Sequence, residues 1–170
     1  DTHQKSIIGL DWHPTKNKLA AIGEKIALYD FENDSLTSIE DRPEDVLMLC
    51  VAWHPAGETF VTADYGDFEV NHPPLLQFWT SEGEKLQSIQ KSKAEYRNLS
   101  WSKNGEFLAT ASDKIRVWDQ KGTLITEKNS ETLFWGIDWN QINNTIVTTD
   151  NSGRMRVWDQ ELQKIKELSY

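Results

Sequence analysis

The sequence predicts an all-β protein made of four copies of one unit, each about 40 residues long and holding four short antiparallel strands. Three observations carry this. Tryptophan recurs as Trp12, Trp53, Trp101 and Trp139, spaced by 41, 48 and 38 residues, in GLDWHP, CVAWHP, NLSWSK and GIDWNQ. After each come a turn, an apolar stretch, a second aromatic position at Tyr29, Trp79, Trp118 or Trp158, and a more polar closing run. No segment sustains a helical period, whereas KIRVWD and RMRVWD alternate as half-buried strands do.

Taken in order, the first strand of each unit ends at its first Trp. The second is KLAAIG, TFVTAD, FLATAS or TIVTTD. The third is KIALYD, LLQFWT, KIRVWD or RMRVWD, and the fourth LTSIE, KLQSIQ, TLITEK or LQKIKEL. All are short, rich in Val, Ile, Thr and aromatics, and punctuated by NG, AG, NN and SG turns. The units run approximately over residues 1–40, 41–90, 91–129 and 130–170, and together make one segment, 1–170.

Composition narrows the classes. Hydrophobic residues are 38% of the 170, yet eight Trp argue for a folded core, because each ring buries much apolar area. A single cysteine, Cys50, excludes an internal disulfide framework and a multi-cysteine zinc site. No apolar run reaches the roughly 20 residues that span a bilayer, so no membrane partner is expected. The net charge of −9 argues against nucleic acid as a partner, which wants a basic surface. Residues 1–85 hold 6 Lys/Arg against 16 Asp/Glu, and residues 86–170 hold 12 against 11. The chain opens DTHQKS, without Met or a signal peptide, so the true N-terminus is expected to lie before Asp1.

On these residues the chain resembles the WD-repeat family of β-propellers over 1–170. The family's Trp-Asp pair stands at Trp118-Asp119 and Trp158-Asp159, and decays to Tyr29-Asp30 and Trp79-Thr80. His3 stands where the family places a structural histidine; Glu44, Ser92 and Ser130 occupy that position in the other units. Thr62, Thr110 and Thr148 stand where the family prefers a hydroxyl, against Ala21 in the first unit, so three units are expected to bond Thr to indole. The resemblance implies four blades of four strands, half of a six- to eight-bladed ring. A pair of chains making eight blades, or a closed four-bladed ring, are the alternatives. It also implies a first strand lining a central channel. Leu10, Val51, Leu99 and Ile137, with the first-strand Trp, are then expected to pack between blades. Small or polar residues, Gly9 and Asp11, Cys50 and Ala52, Asn98 and Ser100, Gly136 and Asp138, would face the channel.

The chemistry points away from an enzyme. His13 and His54 recur in WHP turns, which favours a shared turn role, and no nucleophile elbow, phosphate loop or HExxH pattern occurs. No cofactor and no metal are expected. The spacing between first and second aromatic is 17, 26, 17 and 19 residues, so the second unit carries an insertion, Asp64 to Pro74. Insertions on a repeat scaffold mark its binding face. With the blade connection Glu40 to Asp45, it is expected to gather Glu40, Asp41, Glu44, Asp45, Asp64, Asp67 and Glu69, with His72 beside them. The next connection is basic at Lys91, Lys93 and Arg97. The expected function is a non-enzymatic, cytoplasmic scaffold that docks a protein segment with basic residues, using Tyr65, Phe68 and Tyr96 as anchors. Alternatives are a propeller enzyme with a channel metal on Asp11 and Asp138, and a structural segment of a larger assembly or homodimer.

Overall fold

A computed structural model describes residues 6–43, 46–67, 71–129 and 132–169. It contains sixteen strands in four antiparallel sheets, each a meander of four consecutive strands and so a propeller-like blade. Blade 1 is β1 (Ile7–Trp12), β2 (Lys18–Gly23), β3 (Ile26–Asp30) and β4 (Ser35–Ile39). Blade 2 is β5 (Met48–Trp53), β6 (Thr59–Asp64), β7 (Leu76–Thr80) and β8 (Lys85–Ile89). Blade 3 is β9 (Asn98–Trp101), β10 (Phe107–Ala111), β11 (Lys114–Asp119) and β12 (Leu124–Asn129). Blade 4 is β13 (Phe134–Trp139), β14 (Ile146–Asp150), β15 (Arg154–Trp158) and β16 (Lys164–Ser169). The chain divides into two compact units, residues 1–91 with blades 1 and 2, and residues 92–170 with blades 3 and 4.

Each blade is braced from within by the residues its repeat supplies. The indole Nε1 of Trp79 donates to Thr62 Oγ1 at 2.9 Å, that of Trp118 to Thr110 at 3.0 Å, and that of Trp158 to Thr148 at 2.8 Å. All three threonines are buried, so each bond satisfies two groups that would otherwise be stranded without water. Blade 1 has Ala21 there, and its Tyr29 hydroxyl donates instead to Asp34 on the surface. In blade 3, Ser92 donates to Asp113 at 2.8 Å, a carboxylate that also takes the Arg116 guanidinium. Burial opposes ionisation of Asp113, but the bonds from Arg116 and Ser92 outweigh it and hold the pKa down to about 2. Arg116 and Arg156 occupy one repeat position, and each meets the glutamate directly across the ladder, Glu127 at 3.1 Å and Glu167 at 2.7 Å.

Blades within a unit are joined by a device that recurs. Asp11 Oδ2 accepts the Trp53 backbone N–H at 2.7 Å, and Ser100 Oγ accepts the Trp139 backbone N–H at 2.9 Å. Both acceptors directly precede the first-strand Trp of their own blade. Asp11 therefore spends its carboxylate on a neighbouring strand, and Asp138 takes a bond from Ser100 at 2.9 Å. Turns add a second tie. His13 Nδ1 accepts the N–H groups of Thr15 and Lys16, which leaves the proton on Nε2 to donate to the Gly57 carbonyl at 2.9 Å. Gly57 fits only as glycine: its φ is +76, and a Cβ would stand 2.3 Å from His13 Cε1. In the second unit Gln141 Nε2 donates to Trp101 O at 3.0 Å.

The expected packing between blades holds for Trp53, Ile137 and Trp139, which are buried in the core of their own unit, and for Val51, partly buried against it; Leu99 and Trp101 are buried too. Blade 1 differs: Leu10 is 61% and Trp12 50% exposed, because nothing among the described residues covers that face of β1. Cys50 and Ala52, expected along an open channel, are buried as well. His3 and Ser130 lie outside the described residues.

Bulges set the direction of certain side chains. Register shifts in β1, β5 and β13 leave Ile8, Leu49 and Trp135 as extra residues near the strand start. Shifts opposite β7, β11 and β15 do the same for Leu86, Ile125 and Ile165 on the outermost strands. A bulge leaves its extra residue unpaired and re-aims it, and Trp135, Leu86, Ile125 and Ile165 are all about half exposed or more.

Candidate protein-binding surface

In the first unit, the insertion is built around a buried ion pair. Asp64, which ends β6, accepts the N–H of Gly66 at 2.9 Å and of Leu75 at 3.0 Å, one at each end of the insertion. Arg42 reaches in from the preceding connection, its Nε 2.9 Å from Asp64 Oδ2, and donates to the Pro73 carbonyl at 3.0 Å. Burial pushes the Asp64 carboxyl up to about 6, against the backbone N–H groups and Arg42, which favour the ion. Between these ends, Asp67 and His72 pair through their backbones. Tyr65 projects from the start of the loop, half exposed.

This changes the expected acidic surface. Asp64 is buried and closes the neck of the loop, so it offers no charge to a partner. Glu40 pairs with Lys25 at 2.5 Å, and Asp41 takes Lys85 at 2.5 Å and Gln77 at 2.5 Å. Local cations thus neutralise most of the described carboxylates that composition alone left unpaired. Glu44, Asp45, Phe68 and Glu69 lie outside the described residues. The signal missed in the sequence was Arg42, a cation inside the acidic run EDRPED.

In the second unit, Tyr96 is fully buried, a core residue and not an anchor. Its neighbour Arg97 is the surface residue. The Arg97 guanidinium lies over the Trp135 ring, 4.4 Å from its centroid, and also pairs with Glu95. A cation held over an indole is worth about 0.5–1 kcal/mol at an exposed site, which favours the stacked pair over its open rotamers. Trp135 itself is 49% exposed, turned out by the β13 bulge. Gly136 follows it, and a Cβ there would stand 2.7 Å from Thr149 Oγ1. Sequence reasoning passed over Trp135, although seven of the eight Trp fill the two repeat positions and it alone fills neither.

Among the described residues no group of three His, Cys, Asp or Glu stands close enough to hold a metal ion. His13 and His54 both use Nδ1 to accept a backbone N–H inside their turns. Among the described residues no helix is long and apolar enough to cross a membrane.

Four-stranded meanders, recurring tryptophans and indole–threonine braces define this chain as an all-β protein of propeller-like blades. Residues 2–136 match the family described as Eukaryotic translation initiation factor eIF2A, and the chain belongs to that family.

Proposed function

We propose that the chain is a non-enzymatic, protein-binding part of a cytoplasmic translation initiation factor, and that its sheets are blades of the WD-repeat type. The family supports the setting. The observation that carries the binding role is the Arg97–Trp135 pair. Trp and Arg are enriched among the residues that carry binding energy at protein interfaces, and here Arg97, just before β9, lies over Trp135 near the start of β13. Preordering lowers the entropy lost when a partner docks. The test places a photo-crosslinking phenylalanine beside Trp135, at the exposed Leu133, in a translation extract. The expected product is a discrete adduct to a protein of the initiation machinery, lost in Arg97→Ala. No adduct, or adducts to RNA alone, would overturn the reading.

A second reading, a structural segment of a larger assembly, is favoured by the uncovered β1 face of Leu10 and Trp12. The equivalent residues Ile137 and Trp139 are buried against a neighbouring blade. Light scattering distinguishes its forms: twice the 19.6 kDa chain mass indicates a second copy on that face, and a monomer that aggregates indicates another blade.

A further inference from the structure

The two units close their blade pairs differently, and in the second the seam holds a cavity. In the first unit the turn after β7 seals onto blade 1. A Cβ on Gly83 would stand 2.3 Å from Ile39 Cδ1, and Lys18 Nζ crosses to donate to the Ser81 carbonyl at 2.5 Å. In the second unit the same repeat positions hold Leu162 for Gly83, Phe107 for Lys18 and Gln160 for Ser81. Leu162 takes the left-handed conformation, φ 59, and buries its side chain in the cluster with Val117 and Trp139. Phe107 packs against that cluster and stacks near Trp139, 6.2 Å between centroids. It supplies no ammonium to span the gap. What remains is a cavity of about 230 Å3 lined by Phe107, Val117, Ile125, Thr126, Gln160 and Glu161.

The lining says what fits. The walls are mainly apolar, and the volume falls below the roughly 300–1,000 Å3 of a small-molecule site, a size that suits one side chain. Ile125, the bulge residue of β12, lies at the cavity 54% exposed. β12 is the outermost strand of its sheet, so its far edge presents unpaired backbone groups to an added strand. Glu161 is exposed beside the opening and asks for a cation.

We propose that this cavity is a docking site for an extended, basic segment of a partner protein, seating one leucine- or isoleucine-sized side chain between blades 3 and 4. The inference goes beyond the protein-binding role proposed for the Arg97–Trp135 pair, because it names a second site, distinct from Trp135, and the chemistry of its ligand.

The test uses the full chain with Ile and Val methyl groups labelled for NMR, and the blocked pentapeptide lysine-threonine-leucine-threonine-lysine as probe, whose lysines share the leucine's face in an extended chain. Saturable shifts are expected at Val117 and Ile125. Replacing the leucine by alanine is expected to weaken binding about tenfold or more, from the apolar area lost. Glutamate in place of lysine, or Glu161→Lys in the protein, is expected to weaken it about threefold to tenfold at low salt. The proposal is overturned by the absence of saturable shifts, by equal binding of the alanine peptide, or by shifts at Leu86-strand and Ile165 positions as large as those at Ile125. It also fails if 3-methylbutanol moves these methyls and the peptide does not, since the cavity is then a small-molecule site. None of these results alters the crosslinking test at Trp135, so the two readings stand or fall separately.

Discussion

His13 shows how one side chain joins a turn to a neighbouring blade. Its Nδ1 receives two backbone N–H groups while Nε2–H donates to the Gly57 carbonyl, so the ring serves only when neutral. Desolvation lowers its pKa, opposed by the Gly57 bond. With the folded pKa below the unfolded value near 6.5, the unfolded chain binds the extra proton first. Stability from this group is therefore complete above that value and is lost as pH falls toward and through the folded pKa. We expect His13→Gln to cost about 1–2 kcal/mol at pH 7.5 by urea denaturation. Between pH 7.5 and 5.5 the wild type should lose more stability than the variant. Equal pH slopes would show that the ring does not titrate with folding.

At the scale of the element, the loop neck formed by Arg42 and Asp64 makes a sharp prediction. Removing one partner strands the other charge where water cannot reach it, so Arg42→Met or Asp64→Asn alone should cost about 3–5 kcal/mol. The double variant should cost less than the sum of the two, and strict additivity in the cycle would refute the coupling. The same elements show what the sequence discloses and what it withholds. Strand order and the four Trp-terminated first strands follow from local spacing, because a repeat writes the same contacts at the same offsets, and the three indole–threonine bonds follow from the resemblance to WD repeats. Arg42 with Asp64, 22 positions apart, follows no offset and depends on how a single insertion folds back. Composition therefore marked that stretch as an acidic surface, where folding turned part of it into a buried pair. Trp135 was hidden for a related reason: period-two alternation cannot anticipate a bulge, which changes the direction of one residue alone.

For the whole molecule, each unit carries its own core. One centres on Ile22, Trp53, Phe60 and Trp79, the other on Val117, Phe134, Trp139 and Trp158. Thr62→Val leaves the Trp79 indole N–H buried and unsatisfied, at a cost of about 1–3 kcal/mol. Amide hydrogen exchange should then quicken across β1–β8 while β9–β16 keep wild-type protection, as expected of separate cooperative units. Equal acceleration across both would show one cooperative domain.

The outermost-strand bulges have an evolutionary consequence. At Leu86, Ile125 and Ile165 a single additional residue decides whether an aliphatic group faces outward, and β4 pairs with β3 without one. Deleting Ile125 would bring β12 into the regular register of β4 and remove the projecting group, with the rest of the ladder intact. The pattern of outward aliphatic groups on these strands can therefore drift by insertion and deletion of single codons, a change that comparisons counting only substitutions would overlook.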